Sequence, residues 1–144
     1  MSQYKKILVA IDLSDDSIPV VQRARVLADA SGAQLHLIHV IEPLSFAYGG
    51  DIPMDFSGIQ EEIHQQATLQ MHRFAEKHIV DAQHQSIVLG KPEVEIHAAA
   101  KELGVDLIVI GSHGRHGLAL LMGSTANGVL HGAFCDVLAV RVGK

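Results

Sequence analysis

The residues best placed for chemistry lie in one stretch of the 144-residue chain: Gly111-Ser112-His113-Gly114, then Gly117, then Gly123-Ser124-Thr125. They follow a solid apolar run, Val105-Asp106-Leu107-Ile108-Val109-Ile110. Gly111 and Gly114 let a backbone approach a ribose or phosphate where any Cβ would collide. Gly123, Ser124 and Thr125 then offer N–H groups and two hydroxyls at a predicted helix start. N–H groups at the positive end of a helix dipole attract anions, phosphate above all. Asp12, at the end of another apolar run, is the acid placed to meet a ribose hydroxyl or a base. The competing reading is a tight turn followed by an ordinary helix cap.

Two common nucleotide signatures are missing. No Gly-x-x-x-x-Gly-Lys-Ser/Thr occurs, and the first apolar run does not lead into Gly-x-Gly-x-x-Gly. Nor does any Ser/His/Asp arrangement sit on a strained elbow, so enzymatic turnover is not visible in the residues. Ten histidines raise the question of a metal. His36 and His39 lie three apart on a predicted strand and point to opposite faces, and His113 and His116 have no acid or cysteine cluster beside them. No dedicated metal site is expected. Cys135, the single cysteine, reads as a small buried residue of a reducing compartment.

The elements that position these residues alternate. Strands are expected over Lys6–Ile11, Gln34–Ile41, His84–Leu89, Leu107–Ile110 and Val137–Val142. Between them, Val20, Ala24, Leu27 and Ala28 share one helix face. Ile59, Ile63, Ala67, Met71 and Phe74 share a second, and Ile96, Ala100 and Leu103 a third. Ser14 or Ser17 is expected to cap the first helix, Pro92 to open the third and Gly104 to close it. The aperiodic stretch from Glu42 to Ser57, with Pro43, Gly49, Gly50 and Pro53, is where a lid is expected.

Strand–helix alternation with right-handed crossovers predicts an α/β, Rossmann-like fold: one doubly wound five-stranded parallel sheet, order 3-2-1-4-5, with helices on both faces. A single domain over residues 1–144 is expected. In this order strand one lies beside strand four, where the winding reverses and ligands bind. Hydrophobic residues make up 48% and aromatics 4%, so the core is aliphatic. A formal charge of −5 gives no basic surface for nucleic acid. No apolar run approaches a membrane span, and the first residues lack the features of a signal peptide, so a cytoplasmic protein is expected.

Taken together, the chain resembles the universal stress protein family, in particular its small single-domain bacterial members. The resemblance rests on Lys5-Lys6-Ile7-Leu8-Val9-Ala10-Ile11-Asp12-Leu13-Ser14, Leu37-Ile38-His39-Val40, Gly111-Ser112-His113-Gly114-Arg115-His116-Gly117, Gly123-Ser124-Thr125-Ala126-Asn127 and Cys135-Asp136-Val137-Leu138-Ala139-Val140. It implies a stress-response regulator that is a homodimer through its last strand and acts through protein partners not named by the sequence. Members divide into ATP binders and non-binders, the binders resembling Gly-x-x-Gly, nine residues, then Gly-Ser/Thr. Here eight residues, Arg115 to Met122, separate Gly114 from Gly123. Carried over by position, the backbone of Ala10 and Val40, with Asp12, would hold adenine and ribose. Gly111 and Gly114 would meet ribose and phosphate, and Gly123, Ser124 and Thr125 the phosphates of ATP, with Mg²⁺. The implied alternative is a dimeric stress scaffold that binds no nucleotide.

Overall fold

The computed structural model describes residues 4–13, 15–42, 57–77, 84–113 and 128–142. Five strands form one parallel sheet in the order β3-β2-β1-β4-β5. They are β1 (Lys6–Ala10), β2 (Gln34–Ile41), β3 (Gln85–Leu89), β4 (Leu107–His113) and β5 (Asp136–Val142). The helices are α1 (Ile18–Ser31), α2 (Ser57–Lys77) and α3 (Pro92–Leu103), and residues 128–132 are also helical.

Each face of the sheet has its own core, because side chains alternate along a strand. On one face Ile7, Val9, Leu35 and Leu37 pack with Val20, Val21 and Ala24 of α1 and Met71 and Ala75 of α2. On the other, Leu8, Ile38, Ile108 and Ile110 pack with Ile96 and Ala100 of α3 and with Val129. Strands buried on both faces must read as continuous apolar runs, which is why Ile7-Leu8-Val9 and Leu107 to Ile110 carry no polar alternation. Burying each such aliphatic side chain contributes about 1.5–3 kcal/mol.

The helix ends follow local chemistry. Pro92 occupies the first turn of α3, and Gly104 closes it in the left-handed region at φ 70°. The first helix differs from expectation at its start. Ser17 is its N-cap residue but makes no side-chain capping bond; its hydroxyl is engaged by Asp12 instead.

Asp106 sets the register between β1 and β4. Its carboxylate accepts the backbone N–H of Lys5 at 2.9 Å and of Lys6 at 3.1 Å. Its own N–H donates to the Lys6 carbonyl at 3.0 Å. These bonds fix Ile7 opposite Leu107, Leu8 opposite Ile108 and Val9 opposite Val109.

Candidate functional site at the carboxyl end of the sheet

That register leaves the two central strands unequal. β1 ends at Ala10, and its pairing with β4 ends at Val9–Val109. β4 runs on to His113 because β5 continues alongside it, pairing Gly111 with Val140, Ser112 with Arg141 and His113 with Val142. The expectation that strand four stops at Ile110 is therefore corrected: Gly111 is a buried strand residue, not the first residue of a loop. Beyond Val109, the described strand partner of β4 lies on the β5 side, and the pairing with β1 has ended. In an open parallel sheet this reversal of winding is where ligands bind.

Past Ala10 the chain turns sharply. The Ile11 N–H donates to the Ile38 carbonyl at 2.9 Å, holding the turn to β2. Leu13 then takes φ 67°, a left-handed conformation that costs a side-chain-bearing residue about 1–2 kcal/mol. Two features hold it there. Leu13 packs against the core, and Ser17, only 4% exposed, ties the turn from inside. The Asp12 N–H donates to Ser17 Oγ at 3.0 Å, and the Ser17 hydroxyl donates to Asp12 Oδ1 at 2.7 Å. Strain held by surrounding structure at a strand end is a common accompaniment of binding sites.

A cleft of about 310 Å³ opens beside this turn, on the face covered by α2. Asp12, Leu13 and His39 form its floor, and Ile59, Glu62, Ile63 and Gln66 of α2 form its wall. His39 is oriented by a 2.8 Å bond from Nδ1 to the Ile11 carbonyl. A carbonyl only accepts, so Nδ1 carries the proton of this bond. His36, on the opposite face of β2, bonds instead through Nε2 to Ser86 Oγ at 2.8 Å, so the two histidines are separated as their spacing predicts.

The structure places the candidate residues as follows. Ala10 ends β1 and pairs with Ile38, Val40 lies two residues further along β2, and Asp12 is exposed at the turn. The side chains of Ala10 and Val40 belong to the α3 face of the sheet, opposite the cleft that Asp12 lines. Their backbones nevertheless lie at the same carboxyl edge as buried Gly111. Gly114, Gly123, Ser124 and Thr125 lie outside the described residues, as do residues 43–56 of the stretch from Glu42 to Ser57 expected as a lid; Ser57 itself is the first residue of α2. The sequence reading missed His39, Glu62 and Gln66. Glu62 reads as part of a solvated helix face, and it is exposed, yet it borders the cleft beside Asp12. Helical periodicity gives a residue's face but not which end of the sheet the helix overhangs.

Comparison with known proteins agrees with this architecture. The model of the Universal stress protein family matches residues 3–141. Universal stress protein A homolog 2 of Coxiella burnetii is 45% identical, over 99% of this chain and 98% of that protein. Universal stress protein A homolog 1 of the same organism is 41% identical over 95% and 96%. Among solved structures, hypothetical protein MJ0577 superposes with a TM-score of 0.79 at 25% identity, covering 99% of both chains. A universal stress protein in complex with cAMP has a TM-score of 0.66 at 21% identity, covering 97% of this chain and 98% of that one. The chain belongs to the universal stress protein family.

Proposed function

We propose that this universal stress protein binds ATP or a related adenine nucleotide in the crevice between the carboxyl ends of β1 and β4. The observation that supports the reading is the overrun of β4 past β1 at the point where the winding reverses: β4 continues with β5 to His113 after its pairing with β1 has ended at Val109. In this reading the backbones of Ala10 and Val40, with the Asp12 carboxylate, hold the base and ribose. Gly111 and Gly114 let the chain approach ribose and phosphate without a Cβ in the way. Gly123, Ser124 and Thr125 take the phosphates, and Mg²⁺ travels with the triphosphate. A universal stress protein of this fold has been solved in complex with cAMP, which supports the reading; at 21% identity it speaks for the fold, and the site assignment rests on this chain's own residues.

The protein acts in this account as a cytoplasmic stress-response sensor, not as a fast enzyme. It works as a homodimer through Val137 to Val142. β5 is the terminal strand of the sheet, its Ala139 is exposed, and Phe134 just before it is 56% exposed. An apolar sheet edge of this kind favours a covering partner. One observation favours a second reading, a dimeric scaffold without nucleotide. It is the spacing of eight residues between Gly114 and Gly123. Substitution separates the two: Gly114→Val and Gly123→Val abolish ATP binding while the unfolding temperature holds, as measured by calorimetric titration and circular dichroism. Folded variants that retain wild-type affinity contradict the assignment of these glycines.

A further inference from the structure

The end of the sheet opposite the nucleotide crevice gathers basic side chains. β1 begins at Lys6, β2 at Gln34 and β3 one residue after His84, and α3 ends at Leu103. These residues, with Leu35 and His36, line an open cleft of about 330 Å³. Lys6, His36 and His84 are each partly buried, and the ring centroids of the two histidines are 6.3 Å apart.

Every titratable group in this lining is basic: no Asp or Glu belongs to it. The carboxylate of Asp106, nearby in the register, is engaged by the backbone N–H groups of Lys5 and Lys6. The charges that act on His36 are those of His84 and Lys6, and both oppose its protonation. An anion seated among the three groups would reverse that opposition, because an opposite charge at close range favours the charged form.

The existing bonds leave donors for such a ligand. Lys6 Nζ donates to the Leu103 carbonyl at 3.0 Å, where a cation suits the negative end of the α3 dipole. An ammonium has three N–H donors, so two remain. His36 Nε2 lies 2.8 Å from Ser86 Oγ. A hydroxyl both donates and accepts, so this bond persists in either charge state of the ring. On protonation Nε2–H donates to Ser86, and Nδ1–H is the donor left for a ligand. Histidine changes charge between about pH 5 and 8, so the cleft turns from weakly to strongly basic across that range.

We propose that this cleft is a proton-linked binding site for a small doubly charged oxyanion, held by Lys6, His36 and His84. Three separate N–H donors call for a ligand with several acceptor oxygens, and up to three positive charges favour a dianion. The site lies at the amino edge of the sheet and is independent of the nucleotide reading.

The test follows the histidine Cε1–H signals of the full, nucleotide-free chain by proton NMR while sulfate replaces chloride at constant ionic strength. Sulfate stays doubly charged between pH 7.5 and 5.5, so any pH dependence belongs to the protein. His36→Gln and His84→Gln assign the two signals. Both signals are expected to move saturably with sulfate while the remaining histidines hold, with affinity about tenfold higher at pH 5.5 than at pH 7.5. His84→Gln, at a residue outside the strands, is expected to weaken sulfate binding several-fold with its unfolding temperature held. Shifts that do not saturate, shifts shared equally by all histidines, equal affinity at the two pH values, or wild-type affinity in His84→Gln would each overturn the site.

Discussion

Removing the Ser17 hydroxyl tests whether the strained turn after β1 is held as the structure implies. Ser17→Ala deletes two bonds at once, the acceptor for the Asp12 N–H at 3.0 Å and the donor to Asp12 Oδ1 at 2.7 Å. The first leaves a partly buried amide without this acceptor, at about 1–2 kcal/mol. The second is charge-assisted, but Asp12 is exposed and water replaces the lost donor, which reduces that contribution to below about 1 kcal/mol. The expected loss is about 2 kcal/mol in stability, or about 6 °C in Tm for a chain of this size. Urea unfolding should show the midpoint falling with an unchanged slope. A double-mutant cycle with Asp12→Ala isolates the side-chain bond and should return less than about 1 kcal/mol of coupling. Because the turn aims Asp12, Ser17→Ala should also weaken ATP binding several-fold. A stability change within about 0.5 kcal/mol of wild type would refute the reasoning. Lost stability with unchanged ATP affinity would show that the turn does not position Asp12.

Two further predictions concern titration and reactivity. Burial lowers the pKa of His36, with His84, whose ring centroid is 6.3 Å away, and Lys6 lowering it further. A histidine depressed in the folded state binds fewer protons than when unfolded, so stability is full above about pH 6.5 and falls as acidification proceeds from there toward the folded pKa. Thermal unfolding between pH 7.5 and 5 should therefore show a steeper decline for wild type than for His36→Gln, and equal slopes would contradict the assignment. Burial also raises the pKa of the Cys135 thiol, reinforced by Asp136 and Asp106. Iodoacetamide at pH 8 should alkylate Cys135 more slowly than free cysteine, since the thiolate is the nucleophile; a rate equal to that of free cysteine would contradict it.

The sheet was readable because its strands are buried on both faces. Runs such as Ile7-Leu8-Val9 have no polar interruption, and β2 and the ends of α3 fall where the sequence puts them. The misreadings share a physical cause: they depend on neighbours distant in the chain. Gly111 ends an apolar run and so looks like the start of a loop, yet the ladder to Val140–Val142 keeps β4 extended through it. Ser17 has the composition of a cap, but the bend at Leu13 brings Asp12 to its hydroxyl first. Gly128 and Gly132, where a Cβ would collide with Glu93 and His97 of α3, left only a faint trace in the sequence, glycines four apart facing a glutamate and a histidine four apart. That pairing has meaning only once the helices are known to touch.

The central claim, that the crevice between β1 and β4 takes an adenine nucleotide, is tested most directly by calorimetric titration of the purified protein with Mg-ATP. A denatured aliquot should first be assayed for nucleotide carried through purification. The account predicts saturable binding near micromolar Kd, or bound nucleotide released on denaturation. No heat of binding and no released nucleotide would contradict it and place the protein among the family's nucleotide-free scaffolds.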